Sequence, residues 1–369
     1  MDPTAGLPVI DVAAVAVLPD PTGSHPTGSH RTGSHRTGSD PTGSDPARSA
    51  GPDPGVVAVA EAIDAACRAD GFFVAVGHGI DPALQARLDA AARAFFARPE
   101  AEKARIAMAR GGRAWRGWFP LHGELTSGVP DHKEGLYFGT ELRPDDPRVV
   151  AGRPLHGPNL WPDEPTDLRP AVEAWMAAMT DLGQRLLVAM AVGLGLPPAW
   201  FAGDLTADPT RLFRIFRYPA VAESGGDDGW GVAEHTDYGL LTLLVQDDTG
   251  GLEVRVDGRW VEVPPTEDAI VCNLGDMLER ASGGRFRSTP HRVRLPSTDR
   301  YSFPLFLDPA WDAEVEPLPG TDLAEARQGD RWDGASVFDA EGTYGDYLLS
   351  KVSKVFPDLY REVMGAATQ

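Results

Sequence analysis

The fold class of this chain is decided by one short stretch, Glu234-His235-Thr236-Asp237-Tyr238-Gly239. In a β-strand, successive side chains point to opposite faces, so His235 and Asp237 would point the same way. A second imidazole, His291, lies 54 positions after Asp237, which leaves room in an all-β barrel for other strands to return the chain to the same pocket. Two imidazoles and one carboxylate cover one face of an octahedral Fe(II) ion and leave open positions, whereas zinc closes tetrahedrally. The pattern predicts an iron site that can bind oxygen and an oxidisable ligand.

A candidate anion site follows the second histidine. Arg300 and Ser302 stand nine and eleven residues beyond His291 and are again two positions apart, so they would share one strand face. A guanidinium group can bind a carboxylate through two charge-assisted hydrogen bonds, and a barrel interior strengthens these bonds by excluding water. The alternative, a surface salt bridge, fits this setting less well. The pair predicts a carboxylate clamp beside the metal.

Short β-rich segments fill the region around these residues. Seven are predicted as strands and are separated by Gly, Pro and Asp: 211–218, 241–246, 252–256, 259–263, 269–273, 292–295 and 301–307. The turn Val256-Asp257-Gly258-Arg259 predicts a hairpin. The fold class predicted is mainly β with flanking helices around a double-stranded β-helix (jelly roll) core, an architecture that encloses a pocket.

The motifs, taken in order, resemble those of a known family. The chain is similar to the isopenicillin N synthase-like family of Fe(II)- and 2-oxoglutarate-dependent dioxygenases. The matching motifs outside the opening stretch are Pro8-Val9-Ile10-Asp11, Gly71-Phe72-Phe73-Val74, Asp131-His132-Lys133-Glu134-Gly135, Gly157-Pro158-Asn159-Leu160-Trp161-Pro162, Asn273-Leu274-Gly275-Asp276, Ser288-Thr289-Pro290-His291-Arg292-Val293 and Arg300-Tyr301-Ser302. The likeness covers most of the chain except one early insertion.

The resemblance implies a reaction and a role for several residues. His235, Asp237 and His291 match the iron ligands of the family, and Arg300 with Ser302 matches the clamp for the 2-oxoglutarate carboxylate. It implies oxidation of a small-molecule metabolite with O₂ by hydroxylation, desaturation or ring closure, with release of succinate and CO₂, and a role in secondary metabolism.

Tyr218 matches a position in the family whose phenol often joins the carboxylate clamp. Two residues earlier this chain has Phe216, where plant members commonly carry Asn. The contact that the Asn would make to the co-substrate is therefore missing from the pattern.

Two other functions remain open at this point. Isopenicillin N synthase itself is an oxidase that needs no 2-oxoglutarate, and its Arg-x-Ser pair binds the substrate carboxylate, so the clamp alone does not prove 2-oxoglutarate dependence. A jelly-roll binding protein that holds a metal is the other. The intact Arg-x-Ser pair beside open coordination positions argues against this binding protein.

An aromatic and glycine-rich stretch, 115–139, supplies candidates for the substrate pocket. They are Trp118, Phe119 and Tyr137. An equally good reading of each is that it packs the N-terminal layer over the barrel.

The chain divides into three predicted regions: an N-terminal α/β region, 1–205, a jelly-roll core, 206–311, and a C-terminal helical closing segment, 312–369. The first contains a low-complexity insertion, 21–49, whose Thr-Gly-Ser repeats have no apolar face to bury and predict disorder. Helices are predicted from Gly55 to about Asp70, after Asp81-Pro82, over 171–194, and from Tyr344 onward.

The composition of the chain argues against some classes of binding partner. The 369 residues carry a formal net charge of −20, which repels phosphate backbones and argues against nucleic acid. No apolar run reaches the length of a membrane span, and the N-terminus lacks the pattern of a signal peptide. The two cysteines, Cys67 and Cys272, are expected to be free thiols. These features predict a cytoplasmic enzyme acting on a small molecule; they leave the oligomeric state open and are compatible with a monomer.

Overall fold

The computed structural model describes residues 6–19, 21, 53–203, 205–221, 229–318, 321, 333–334 and 336–365. Apart from residue 21, the predicted insertion lies outside the described residues.

Two stacked sheets form the centre of the molecule. The strands, in chain order, are β1 (Val9–Asp11), β2 (Phe72–Val76), β3 (Gly117–Phe119), β4 (Leu125–Thr126), β5 (Val129–Pro130), β6 (Glu134–Gly139), β7 (Pro209–Tyr218), β8 (Val232–His235), β9 (Leu241–Gln246), β10 (Leu252–Val256), β11 (Arg259–Glu262), β12 (Ile270–Leu274), β13 (His291–Val293) and β14 (Arg300–Ala310). The larger sheet has the order β1-β2-β12-β9-β14-β7-β6-β3, and the smaller sheet has the order β11-β10-β13-β8. The short strands β4 and β5 pair only with each other.

Alternation along the strands decides what each sheet buries. On β7, the side chains of Phe213 and Ile215 are fully buried, whereas Leu212 and Phe216 on the opposite face line an internal cavity. This alternation is what a two-residue period produces when one face packs on helices and the other closes a pocket.

The predicted hairpin in the smaller sheet is confirmed. Asp257 and Gly258, between β10 and β11, have φ angles of 47° and 75°. Positive φ at both central residues is the geometry of a type I′ turn, whose twist matches that of the flanking strands. The turn therefore fixes the register in which Val256 faces Arg259.

Helices cover the outside of the larger sheet and one end of the barrel. They are α1 (Ala13–Ala16), α2 (Pro54–Ala69), α3 (Pro82–Phe96), α4 (Glu100–Lys103), α5 (Pro147–Val150), α6 (Leu168–Gly193), α7 (Asp276–Ala281), α8 (Tyr344–Val355) and α9 (Pro357–Gly365), with 3₁₀ turns at Ala104–Ile106, Met108–Ala114 and Val337–Asp339. Asp81 caps α3 by accepting a hydrogen bond from the backbone N–H of Ala83 at 2.9 Å, as its sequence predicts.

The long helix α6 supports the barrel. Its buried face includes Val172, Met179, Leu186 and Met190, whose spacing is that of one side of a helix. This helix contacts α2, α3 and the strands β9 and β14. It forms an outer layer behind β9 and β14, the second of which carries both Arg300 and Ser302.

All seven predicted strands are present; 241–246 and 252–256 match the observed boundaries, and the other five differ by up to three residues at an end. The larger sheet also takes β1, β2, β3 and β6 from the N-terminal region, so the sheet crosses the boundary predicted at 205. The division into three regions stays a prediction. Among the described residues, no helix combines the length and the apolar character needed to cross a bilayer.

Candidate active site

The three predicted metal ligands meet at one edge of the smaller sheet. His235 is the last residue of β8, His291 is the first of β13, and the two face each other in the strand register. Asp237 lies just after β8 rather than on it, which corrects the expectation that one strand carries both ligands. The chain has left the sheet at this residue, and the carbonyl of Asp237 accepts a hydrogen bond from the backbone N–H of Asp276 at 2.8 Å.

The side chains of the three predicted ligands converge although Asp237 is not part of a regular strand. Its Oδ1 atom is 3.9 Å from Nε2 of His235 and 3.8 Å from Nε2 of His291. The ligand atoms of all three residues lie within 4.8 Å of one another. A single ion can contact all three donors at ordinary coordination distances.

Backbone carbonyls orient both imidazoles. Nδ1 of His235 lies 2.8 Å from the carbonyl of Ala233, and Nδ1 of His291 lies 3.2 Å from the carbonyl of Thr289. Because a carbonyl only accepts, Nδ1 carries the proton in each ring and Nε2 keeps its lone pair for a metal. Burial, reinforced by the neighbouring His291, lowers the pKa of His235 to about 3. The ring is therefore neutral at pH 7, as a ligand must be.

Asp237 is held through its other oxygen. Its Oδ2 atom accepts hydrogen bonds from the hydroxyl of Thr242 and from the side-chain amide of Asn273, both at 2.6 Å. Burial alone would raise the pKa of Asp237, but the two histidines and these two donors lower it overall. The carboxylate therefore presents Oδ1 to the histidines in ionised form.

The residues of the predicted anion clamp lie on the larger sheet. Arg300 is 1% exposed, and it donates from Nε to the carbonyl of Gly250 at 2.6 Å and from Nη2 to Oε1 of Gln246 at 3.0 Å. Its Nη1 atom is buried without a hydrogen-bond partner. A buried donor left unpaired is unfavourable, so the guanidinium group has capacity for one more acceptor.

The other clamp residues surround this guanidinium group. Tyr218 pairs with Arg300 across β7 and β14, and the guanidinium carbon lies 4.8 Å from the centre of its ring. Ser302 is buried two positions further along β14. Phe216, at the position where plant members carry Asn, is the register partner of Ser302. This difference from the plant members therefore places the ring of Phe216 beside the hydroxyl of Ser302.

One cavity of about 150 Å³ connects the metal ligands with the clamp. His235, Asp237, His291, Arg300, Ser302 and Tyr218 all line it. The predicted metal ligands and the predicted carboxylate clamp therefore face the same cavity.

The predicted substrate residues are placed differently from one another. Tyr137 lines the cavity, whereas Trp118 and Phe119 are not part of its lining. Trp118 donates from its indole nitrogen to Glu134 at 2.9 Å, and Phe119 packs edge-on against the ring of Tyr137 at 5.3 Å between ring centres. In this structure Trp118 and Phe119 support the wall from behind.

Comparison with known proteins identifies the family. A profile described as the N-terminal region of the non-haem dioxygenase in morphine synthesis matches residues 46–164, and the 2OG-Fe(II) oxygenase superfamily matches residues 209–309. A probable iron/ascorbate oxidoreductase of Dictyostelium discoideum is 42% identical over 330 residues, which cover 83% of this chain and 91% of that protein. The chain belongs to the 2OG-Fe(II) oxygenase family.

Other relatives agree with this assignment. A homoarginine-6-hydroxylase of Arabidopsis thaliana is 34% identical over 309 residues, covering 82% of this chain and 91% of that protein. The structure of a full-length Neurospora crassa protein in complex with alpha-KG and thymine has a TM-score of 0.71 at 24% identity and covers 96% of this chain and 98% of that one. The latter likeness shows the fold, and with it the predicted jelly-roll core is confirmed.

The predicted enzyme class is also confirmed. The chain is an Fe(II)- and 2-oxoglutarate-dependent oxidoreductase, and its cofactor set is Fe(II) with 2-oxoglutarate and O₂ as co-substrates. The three-donor arrangement and the unpaired nitrogen of Arg300 fit these groups.

The oxygenase cavity also contains buried charges that the sequence analysis did not assign. The ammonium group of Lys133 lies 2.7 Å from Asp131 and 3.0 Å from Glu124, and Glu124 also accepts a hydrogen bond from the hydroxyl of Tyr137. Burial would lower the pKa of Lys133, but the two carboxylates raise it. These residues form one compensated cluster, of which Glu124, Lys133 and Tyr137 line the cavity.

Helix α8, near the C-terminus, covers one side of the cavity. Leu348 and Val352 on α8 line it, as do Val355 and Phe356 at the end of this helix. The helical spacing of this tail predicted a closing helix, and the structure shows that its apolar side covers the active site.

Gly239, next to the metal ligands, is required by close packing. A Cβ atom built on it would lie 1.5 Å from Oδ1 of Asp308 on β14. Any larger residue would displace this strand or the turn that follows Asp237.

Proposed function

We propose that His235, Asp237 and His291 bind the catalytic Fe(II), and that Arg300, Ser302 and Tyr218 bind the far carboxylate of 2-oxoglutarate, so that a small organic substrate is oxidised in the shared cavity. The observation that carries this proposal is the unpaired, buried Nη1 of Arg300 in the cavity that the three metal ligands also line. A buried guanidinium nitrogen without an acceptor is unfavourable, and a carboxylate bound in this cavity would supply the acceptor.

Each residue has a definite part in the proposed reaction. When bound, Fe(II) and 2-oxoglutarate supply the activation of O₂ that oxidises the substrate, with release of succinate and CO₂. His235 and His291 offer neutral Nε2 atoms because their Nδ1 protons are held by carbonyls. Thr242 and Asn273 fix the carboxylate of Asp237.

Arg300 and its neighbours orient the co-substrate in this proposal. The carbonyl of Gly250 and the side chain of Gln246 hold the guanidinium group in one position, so little freedom is lost when a carboxylate binds. The apolar side chains of α8 exclude water from the same space, which strengthens charged contacts and prevents side reactions.

The proposal also includes the metabolic role of the enzyme, its location in the cell and the absence of nucleic-acid partners. A role in secondary metabolism is supported by the match to a dioxygenase of morphine synthesis. A cytoplasmic location is supported by the two free, buried cysteines, which suit a reducing compartment. The absence of nucleic-acid partners is supported by the net charge of −20.

The test is an anaerobic titration of the Fe(II) protein with 2-oxoglutarate, followed by the charge-transfer absorption that appears when 2-oxoglutarate chelates Fe(II). We expect Arg300→Ala to need at least about tenfold more 2-oxoglutarate, because one charge-assisted hydrogen bond contributes roughly 1.5–3 kcal/mol. Iron content should be unchanged. Absence of the absorption in the wild type, together with substrate-dependent oxygen uptake without succinate, would instead support an oxidase in which Arg300 binds the substrate.

A further inference from the structure

A second arginine lines the cavity and has a hydrogen-bond donor without a partner. Arg214 on β7 is 8% exposed, lines the cavity, and has an Nη1 atom that is buried without a hydrogen-bond partner. Within the part of the chain that the structure describes, no carboxylate forms an ion pair with it at 4 Å or less. Arg214 lies two and four positions from Phe216 and Tyr218, on the same strand face.

The surroundings of Arg214 compensate its charge only in part. The guanidinium carbon lies 3.4 Å from the centre of the Tyr137 ring and 5.7 Å from that of Phe306. Such cation–π contacts offset only part of the penalty for removing a charge from water without an ion-pair partner. The free protein therefore keeps a cation in the cavity at a net cost.

The carboxylates nearby are already bound to other groups. Asp308 accepts a hydrogen bond from the hydroxyl of Tyr344 at 2.6 Å. Glu124 accepts one from Tyr137 and lies 3.0 Å from the ammonium group of Lys133. The charge of Arg214 lowers the pKa of Asp308, but neither carboxylate forms an ion pair with Arg214 at 4 Å or less, so we expect a direct partner to come from outside the chain.

The position of Arg214 separates it from the co-substrate clamp. Tyr218, the register partner of Arg300, is four residues along β7, which corresponds to about 13 Å of strand. Two buried guanidinium groups with one unpaired nitrogen each thus lie at different places on the same cavity wall. One carboxylate at Arg300 leaves Arg214 free for another.

We propose that Arg214 binds a carboxylate of the substrate, so that the enzyme oxidises small carboxylic acids with an apolar body. The inference rests on the function proposed above, which assigns Arg300 to 2-oxoglutarate. Leu212, Leu348, Val352 and Phe356 provide an apolar lining for the body of such an acid.

The acid is a monoanion. Asp237, Glu124 and Asp308 also line the cavity, and a phosphate dianion would be repelled by these carboxylates more strongly than a single carboxylate would. A planar guanidinium fork matches one carboxylate.

The binding test uses three acids, hexanoate, benzoate and 3-phenylpropanoate, and the primary amide of each. Affinities are measured by calorimetry on the full chain loaded with Fe(II) and 2-oxoglutarate under anaerobic conditions. We expect at least one acid to bind at least about tenfold more tightly than its amide. Arg214→Gln should remove this preference, and Arg214→Lys should keep part of it because the charge remains.

The matched control is Arg211→Gln, since Arg211 stands on the same strand but does not line this cavity. It should leave the preference for the acid unchanged. The inference is overturned if no acid is preferred over its amide in the wild type, or if the preference survives Arg214→Gln. The charge-transfer titration with 2-oxoglutarate is run on the same samples. A normal titration without acid preference refutes only the inference about Arg214, whereas failure of the titration in the wild type refutes the proposed function.

A second measurement distinguishes a binding residue from a structural one. If Arg214 is an uncompensated charge kept for a ligand, Arg214→Met should leave the melting temperature of the ligand-free protein unchanged or raise it. A clear decrease in melting temperature would show that Arg214 stabilises the fold itself, and would overturn the inference.

Discussion

The carboxylate of Asp308 accepts a hydrogen bond from the hydroxyl of Tyr344 at 2.6 Å. Asp308 belongs to β14, the strand that carries Arg300 and Ser302, and Tyr344 is the first residue of α8. Both residues are buried. This contact joins the barrel to the helix α8, which is also held by a hydrogen bond from the hydroxyl of Tyr347 to Asp276 at 2.7 Å.

Removal of this hydroxyl should destabilise the enzyme. Tyr344→Phe removes one of the hydrogen-bond donors of a buried carboxylate, which we expect to lower the free energy of unfolding by about 1–3 kcal/mol. Urea denaturation of the wild type and the variant measures the difference. Tyr360→Phe, on the more exposed helix α9, is the control and should have a smaller effect; equal effects would show that the contact adds nothing.

The same carboxylate should make stability depend on pH. Burial raises the pKa of Asp308 to about 7, whereas an unfolded Asp titrates at about 3.9. The folded state therefore binds more protons between these values, and the contribution of Asp308 to stability, full below about pH 4, is lost as the pH rises through about 7. Asp308→Asn should remove this part of the slope in melting curves recorded from pH 4 to 8; curves that stay parallel to the wild type would contradict the assignment.

The sequence predicts those parts of the site that follow from local periodicity. The two-residue spacing of Arg300 and Ser302 places both on one strand face, and both line the cavity. The same rule applied to β7 would have placed Arg214 beside Phe216 and Tyr218, but an isolated arginine in a strand carries no motif, so this residue was missed.

Contacts between distant elements were not predictable in this way. Lys133, Asp131 and Glu124 lie within a short stretch, yet their arrangement around one ammonium group depends on how the chain between β4 and β6 folds back. The helix α8 was predicted from its apolar spacing, whereas its docking through Tyr344 depends on a buried carboxylate 36 residues away. Burial and orientation of such groups are set by tertiary packing, which periodicity does not encode.

Loss of a metal ligand should abolish turnover without unfolding the protein. His235→Ala or Asp237→Ala removes one donor from a site with three protein ligands, so we expect less than one Fe(II) per chain and no activity. Metal analysis and circular dichroism measure the two effects separately. His156→Ala, a histidine that does not line the cavity, serves as the control, and full activity in either ligand variant would refute the site.

The residues that donate hydrogen bonds to Asp237 should affect the affinity of the site for iron. Thr242→Val and Asn273→Ala each remove one of the two hydrogen bonds to Oδ2, which leaves the carboxylate free to rotate away from the histidines. Loss of such a supporting contact typically weakens metal binding about 10–100-fold, and the double variant should be weaker than either single one. Competition for Fe(II) with a chelator of known affinity measures this change. The control is Thr140→Val, because Thr140 lies outside this cavity. If iron affinity were the same in Thr242→Val, Asn273→Ala and the wild type, the hydrogen bonds to Asp237 would serve the packing of the sheet and not the metal.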